Sequence, residues 1–148
     1  MMYTDQLQKV MTEREGYTEF NDCTVVALSV ALEIPYSVAH RMLADQGRQE
    51  RKGFNLISWL ENVARAGRTL CGYKPTAVKC GKIQSAATRQ FPWSVYTYPT
   101  LARVRRDFPK GRFIVRKKRH VFAMTDGEVH DNIGPRTRIT NLVLFERA

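Results

Sequence analysis

The sequence lacks several features that would indicate particular classes of protein. It has no apolar run of about 18 residues, so we expect no membrane-spanning segment. Its first ten residues are polar and lack the apolar core of a secretory signal. It has only three cysteines, Cys23, Cys71 and Cys80, and an odd number without a signal segment predicts free thiols in a reducing, cytoplasmic compartment. No histidine lies near Cys71 or Cys80, so neither indicates a zinc site, and we expect both to be structural.

Acidic residues are scarce relative to basic ones. The 148 residues include 24 Lys and Arg against 14 Asp and Glu, which gives a net charge of +10. Such an excess favours an acidic partner, whether nucleic acid, an anionic protein surface or an acidic substrate. Nine basic residues and one acid lie between Arg103 and Arg119. This cluster is either a solvated face or the border of a nearby site. In the second case, a basic rim that selects the substrate is formed by Arg116, Lys117, Lys118 and Arg119.

The pattern of apolar residues predicts an α+β fold, in which N-terminal helices pack on a C-terminal antiparallel sheet. The length suits one domain over 1–148, with a polar lead-in (1–20), a helical half (21–67) and a β half (112–148). Asn21 or Asp22 is suited to cap the most apolar helix, which begins near Cys23. Residues 69–99 are irregular and predict short strands or loops. Helices are predicted over 4–13, 23–32, 37–46, 54–66 and 100–108, and strands over 112–115, 120–125, 128–132 and 137–145.

The Asp126-Gly127 pair predicts a hairpin whose register places His120 and Asp131 on one face. Side chains alternate along a strand, so that face carries His120, Phe122, Met124, Val129, Asp131 and Ile133. His120 and Asp131 are then diagonal neighbours, about 7 Å apart at the backbone. We expect this apolar face to pack on the helix that begins at Cys23.

A cysteine, a histidine and a carboxylate brought together in this way are the components of a thiol nucleophile. A helix N-terminus and a nearby imidazolium both stabilise a thiolate at Cys23. Asp131 would orient the ring of His120 and stabilise its charge. The backbone N–H of Cys23, in the first helical turn, is suited to hold an oxyanion. The negative charge of Asp22 acts against a thiolate at Cys23, because it raises the thiol pKa. This effect is avoided if the carboxylate caps the helix, or is offset by the positive charge of the basic cluster.

Two segments resemble small papain-like cysteine-peptidase domains of bacteriophages and bacteria. They are the stretch from Asn21 to Leu28 with Pro35 to Val38, and the stretch from Pro109 to Asn132. The resemblance implies a papain-like fold, with Cys23 as nucleophile, His120 as general base and acid, and Asp131 as the orienting residue. It also implies a viral protein in a host cytoplasm if a phage encodes it. The family places a Gln before the cysteine as oxyanion donor. This chain has none there, and the amide of Asn21 is the substitute that it offers.

Two functions therefore remain open from the residues, and the resemblance alone adds a third, a structural or assembly protein of a phage particle that uses the fold passively. One is a cofactor-free hydrolase or acyl-transferase acting on a peptide, isopeptide or side-chain amide bond. The other is an inactive scaffold of the same fold that binds nucleic acid or an acidic host protein through its basic surface. Aromatic residues near the basic cluster are suited to stack on single-stranded nucleic acid, although they are equally typical of a core: Phe91, Trp93, Tyr96 and Tyr98.

Overall fold

The computed structural model describes residues 4–80, 83–85, 89 and 95–148. Within these ranges the chain forms five helices and seven strands, in an α+β arrangement. The helices are α1 (Asp5–Arg14), α2 (Cys23–Leu32), α3 (Tyr36–Asp45), α4 (Leu56–Arg65) and α5 (Leu101–Asp107). The strands are β1 (Tyr73–Val78), β2 (Ile83–Ser85), β3 (Val95–Thr97), β4 (Arg112–Lys117), β5 (His120–Thr125), β6 (Glu128–Val129) and β7 (Asn141–Arg147).

Five of the strands form one antiparallel sheet in the order β1-β7-β4-β5-β6. Helices α1 to α4 cover one face of this sheet, and α5 contributes to the core on the other face. The predicted helices agree with the observed ones to within two residues at each end. The sheet, however, extends beyond the predicted β half of 112–148, because β1 comes from the segment predicted to be irregular.

The most apolar helix, α2, lies between the other helices and the sheet. Eight of its ten residues are buried, which explains why its sequence has no polar stripe. Among the described residues no single helix is long and apolar enough to span a membrane. Helices α2 and α3, which are bent by 120° relative to each other, meet the criteria of length and composition only when they are taken together.

The hairpin turns at Asp126 and Gly127, as predicted, but the prediction of which face packs on α2 is wrong. The pairs Met124–Val129 and Thr125–Glu128 form in the expected register. Val121 and Ala123 lie in the cluster with α2, whereas Phe122 and Met124 pack on the α5 side. Both faces of β5 are buried, so the presence of larger apolar side chains on one face does not indicate which face contacts α2. The smaller side chains allow the helix to approach the strand closely.

The predicted strand 128–132 is also too long. Regular pairing in β6 ends at Val129, and the His130 N–H still donates to the Ala123 carbonyl at 3.0 Å. Beyond that bond the segment leaves the ladder, so the continuation of the predicted register, which would pair Phe122 with Asp131 and His120 with Ile133, does not form among the described strands. This departure frees Asp131 to approach His120 through its side chain.

Candidate active site

Cys23 is the first residue of α2, and its thiol is partly exposed. The preceding Asn21 adopts a left-handed conformation with φ 55°, which Asn tolerates better than most residues. This turn brings the chain from the exposed Phe20 into the helix. The backbone N–H of Cys23 lies in the first turn, where N–H groups have no acceptor within the helix.

His120 begins β5, directly after Arg119, which has a φ of 65°. Its Nε2 lies 2.5 Å from Oδ2 of Asp131, and both side chains are about one-third exposed, at 30% and 31%. The other oxygen of Asp131 accepts from the Asn132 N–H at 2.7 Å. The carboxylate is therefore fixed from both sides and orients the ring. Asn132, whose side chain is exposed, takes part only through this backbone N–H.

The ring of His120 is close enough to the thiol of Cys23 for each group to shift the pKa of the other. Because Nε2 is occupied by Asp131, the nitrogen that faces the thiol is Nδ1. Burial raises the pKa of the Cys23 thiol, but the hydrogen bonds to His120 and to the backbone N–H of Val121 outweigh it, so the pKa lies below its ordinary value. The bonds to Asp131 and Cys23 raise the pKa of His120 to about 9. Both shifts favour a thiolate–imidazolium pair.

The carboxylate of Asp22, next to the thiol, does not cap α2. It accepts from Arg14 Nε at 2.6 Å and Nη2 at 3.0 Å, and from the Tyr36 hydroxyl at 2.7 Å. Burial raises the pKa of Asp22, but these bonds lower it overall, so the group stays ionised. The basic cluster before His120 was one predicted source of compensation for this charge; the ion pair is instead with Arg14, on α1. The sequence offered no signal for this pair beyond an arginine in the last turn of a short helix.

A second buried carboxylate, Glu19, anchors the loop that precedes the thiol. It accepts from Arg48 at 2.9 and 3.1 Å, from His40 Nε2 at 2.6 Å, and from the Arg51 N–H at 2.7 Å. The bond to Arg48 is the largest of the effects that lower the pKa of Glu19 to about 2. Glu19 was not predicted as a functional residue, because a glutamate in a polar loop is usually solvated.

Asn21, predicted as the oxyanion donor, lies in the wall of the site. Its side chain is exposed, and Nδ2 donates to the Arg51 carbonyl at 3.4 Å. Asn21 lies two residues before Cys23, on the loop that Glu19 anchors. The bond to Arg51 fixes the position of its side-chain amide. One amide hydrogen is engaged by Arg51, which leaves the second for another acceptor.

Two clefts meet at Cys23 and His120. The first, which we call the α1 cleft, has a volume of about 350 Å³ and lies between α1, α2 and β5. The second, the α4 cleft, has a volume of about 260 Å³ and lies between the start of α4 and β5. Cys23 and His120 lie at the junction of the two clefts and are accessible from both.

The predicted basic rim borders this junction in part. Arg119 lines both clefts, and Arg116 lines the α4 cleft while donating to Asn141 Oδ1 at 3.3 Å. Lys117 is half-buried and its charge contributes to the lowered pKa of Asp131. Lys118 is exposed. Of the four residues, Arg119 and Arg116 are therefore the two with direct access to a molecule in the clefts.

The remaining predicted features lie away from the thiol or outside the described residues. Cys71 is exposed, and Cys80 donates weakly to the Ile139 carbonyl at 3.7 Å. Phe91 and Trp93, two of the aromatic residues considered for stacking on nucleic acid, lie outside the described residues. In the part of the chain that is described, no group of three or more His, Cys, Asp or Glu side chains is arranged to hold a metal ion.

The arrangement brings together a thiol, an imidazole and a carboxylate that orients the imidazole, which are the groups that nucleophilic chemistry at a carbonyl requires. Comparison of the chain with protein-family models, with curated proteins and with solved structures finds no match.

Proposed function

We propose that this protein is a cysteine-dependent hydrolase or acyl-transferase of papain-like organisation that acts on an amide bond of a protein or peptide. The observation that carries the proposal is that Cys23 and His120 lie together at the junction of two clefts, with Asp131 hydrogen-bonded to the ring of His120. A structural ion pair would explain His120 and Asp131 alone. It would not explain a thiol at a helix N-terminus with a lowered pKa in the same group.

In the reaction, the thiolate of Cys23 attacks the amide carbonyl carbon and the carbonyl oxygen becomes an oxyanion. The backbone N–H of Cys23 and the amide of Asn21 are the donors for that oxyanion. His120 gives its proton to the amine nitrogen as the C–N bond breaks, leaving a thioester. A water that loses its proton to His120 then releases the acid; an amine in place of water gives acyl transfer. Asp131 holds the ring throughout and takes no proton.

The test of this proposal is the pH dependence of alkylation by iodoacetamide, measured for each cysteine by mass spectrometry. We expect Cys23 to react well below the ordinary thiol pKa of about 8.5, and His120→Ala to shift that reactivity to higher pH. Cys71, which is exposed, is the internal reference. If Cys23 is inert or titrates like Cys71, the catalytic proposal fails, and the binding of acidic partners by the basic surface becomes the better explanation.

A further inference from the structure

The α1 cleft extends from the thiol along one face of α2. Its floor is formed by Cys23, Val26, Ala27 and Val30, which are spaced i, i+3, i+4 and i+7. Seven residues of helix advance about 10 Å. A chain attached to the sulfur therefore has a continuous floor of two helical turns beneath it, and every side chain of that floor beyond the thiol is aliphatic.

The walls of the α1 cleft are also apolar away from its mouth. Leu7 and Met11 of α1 form one wall, and Val121 and Ala123 of β5, which lie on the face that meets α2, contribute to the other. Asn21, Asp22 and Arg14 lie at the Cys23 end of the cleft, whereas His130 bonds to Thr4 at the start of α1. Met11 is partly buried, and an unbranched thioether adapts well to ligands of irregular shape. The cleft thus has a polar end, where the carbonyl reacts, and an aliphatic interior.

Both ends of α1 are fixed beside this cleft by polar contacts. Each contact is with a residue that directly precedes Cys23 or Asp131 in the sequence. At its start, the hydroxyl of Thr4 lies 2.5 Å from Nδ1 of His130, the residue before Asp131. At its end, Arg14 pairs with Asp22, the residue before Cys23. His130 is buried and its Nε2 bonds to Thr125 at 2.6 Å. These anchors preform the cleft, which lowers the cost of ordering it when a ligand binds.

We propose that the α1 cleft binds an aliphatic chain on the acyl group that Cys23 accepts, so that Leu7 and Met11 determine acyl specificity. This inference rests on the proposed function. The α4 cleft also has apolar lining residues, Phe54, Leu56 and Ile57, but a chain bound there would not contact Met11, so a variant of Met11 distinguishes the two clefts. An acyl donor with a straight aliphatic chain places its carbonyl at His120 and its chain beneath α1.

The experiment compares p-nitrophenyl acetate with p-nitrophenyl hexanoate as acyl donors. The thiolate attacks the ester carbonyl, the C–S bond forms, the C–O bond breaks and p-nitrophenolate leaves; water later hydrolyses the thioester. The readouts are the rate of p-nitrophenolate release and the acyl mass on the peptide that contains Cys23. Burial of each methylene favours reaction about fourfold. We expect hexanoate to acylate Cys23 at least tenfold faster than acetate.

Two variants of one residue test the location of the chain. Met11→Trp fills the α1 cleft and should bring the hexanoate-to-acetate ratio close to one. Met11→Ala removes contacts with the chain and should lower the ratio severalfold, which keeps the test available if the tryptophan variant does not fold. Met42→Trp is the matched control, since Met42 is a partly buried methionine of α3 outside both clefts. It should leave the ratio unchanged.

The inference is overturned if wild type shows equal rates with the two esters, if neither ester acylates Cys23, or if folded Met11→Trp keeps the wild-type ratio. These outcomes leave the proposed function standing as long as Cys23 shows its reactivity towards iodoacetamide at low pH. If that reactivity is also missing, both fail.

Discussion

At the residue scale, the charge next to the thiol is controlled by an ion pair that begins on another helix. Arg14 occupies both oxygens of Asp22, so the carboxylate that precedes Cys23 is compensated. That Cys23, His120 and Asp131 lie in one cleft could be predicted from a helix start and a hairpin turn, which are local patterns, although Asp131 reaches His120 by leaving the strand rather than by alternation along it. The Arg14–Asp22 pair depends on how the chain turns between two helices, which such patterns do not report.

Removing that compensation should make the thiol less acidic. In Arg14→Gln the charge of Asp22 stands unpaired beside Cys23, and a like charge disfavours the thiolate. We expect the midpoint of Cys23 alkylation to move to higher pH, with Arg41→Gln, an exposed arginine on α3, as the control. An unchanged midpoint in a folded Arg14→Gln protein would show that Asp22 is compensated by other groups.

The titration of His120 gives a second test at this scale. Asp131 is the largest cause of its raised pKa of about 9, so Asp131→Asn should lower the NMR titration midpoint of the ring towards the ordinary 6.5. Asp126→Asn, a substitution in the hairpin turn, is the matched control. A midpoint that stays near 9 in Asp131→Asn would assign the shift to the thiolate of Cys23 instead.

The same pair makes stability depend on pH in a defined window. The His120 pKa is raised, so its contribution to the free energy of unfolding is complete below 6.5 and is lost as the pH rises through about 9. The Asp131 pKa is lowered, so its contribution is complete above 3.8 and is lost as the pH falls through its folded value. The stability difference between wild type and Asp131→Asn in urea denaturation should therefore be largest between these limits, near pH 5 to 6.

At the scale of elements, the helices follow from sequence more directly than the sheet does. Repeated apolar spacing and polar caps such as Thr4, Asn55 and Thr100 define the helices locally. Strand β1 contains Lys74 and Pro75, and only Tyr73 and Pro75 are fully buried in it. Proline is tolerated there because β1 is an edge strand, a fact that depends on the whole sheet.

The attachment of α1 can be tested by comparing two helix caps. Thr4 and Thr100 each accept a backbone N–H of their own helix, but only Thr4 also bonds to a buried histidine. Loss of a cap costs about 1 kcal/mol, and Thr4→Val also leaves His130 with one partner fewer. We expect Thr4→Val to lower the free energy of unfolding by about 2 kcal/mol and Thr100→Val by about half that.

Hydrogen exchange gives the local readout of the same pair of variants. Amides of α1 should exchange faster in Thr4→Val and remain unchanged in Thr100→Val. Equal losses of stability, with no change in α1 exchange, would show that the Thr4–His130 bond does not hold the helix.

At the scale of the whole molecule, the net charge of +10 should act on any charged reagent that approaches the site. Arg119 lines both clefts and therefore places one of these positive charges near the thiol of Cys23. We expect anionic iodoacetate to gain on neutral iodoacetamide at Cys23, with the ratio of rates falling as salt is added.

The variant Arg119→Gln should reduce the iodoacetate-to-iodoacetamide ratio severalfold. Lys74→Gln is its control, because it removes the same charge on β1, at the opposite end of the sheet from the hairpin that carries His120. Equal effects of the two variants would mean that net charge, rather than the rim, attracts anions.

The position of β7 has a consequence for how the chain folds as it is synthesised. This last strand lies between β1 and β4 and supplies Val143 and Phe145 to the core beneath the helices. While a ribosome still holds those residues, β1 and β4 lack the strand that joins them and the apolar faces of the helices are incompletely covered. Until β7 has been synthesised, the nascent chain is thus a natural client for chaperones, because the sheet that carries His120 is incomplete.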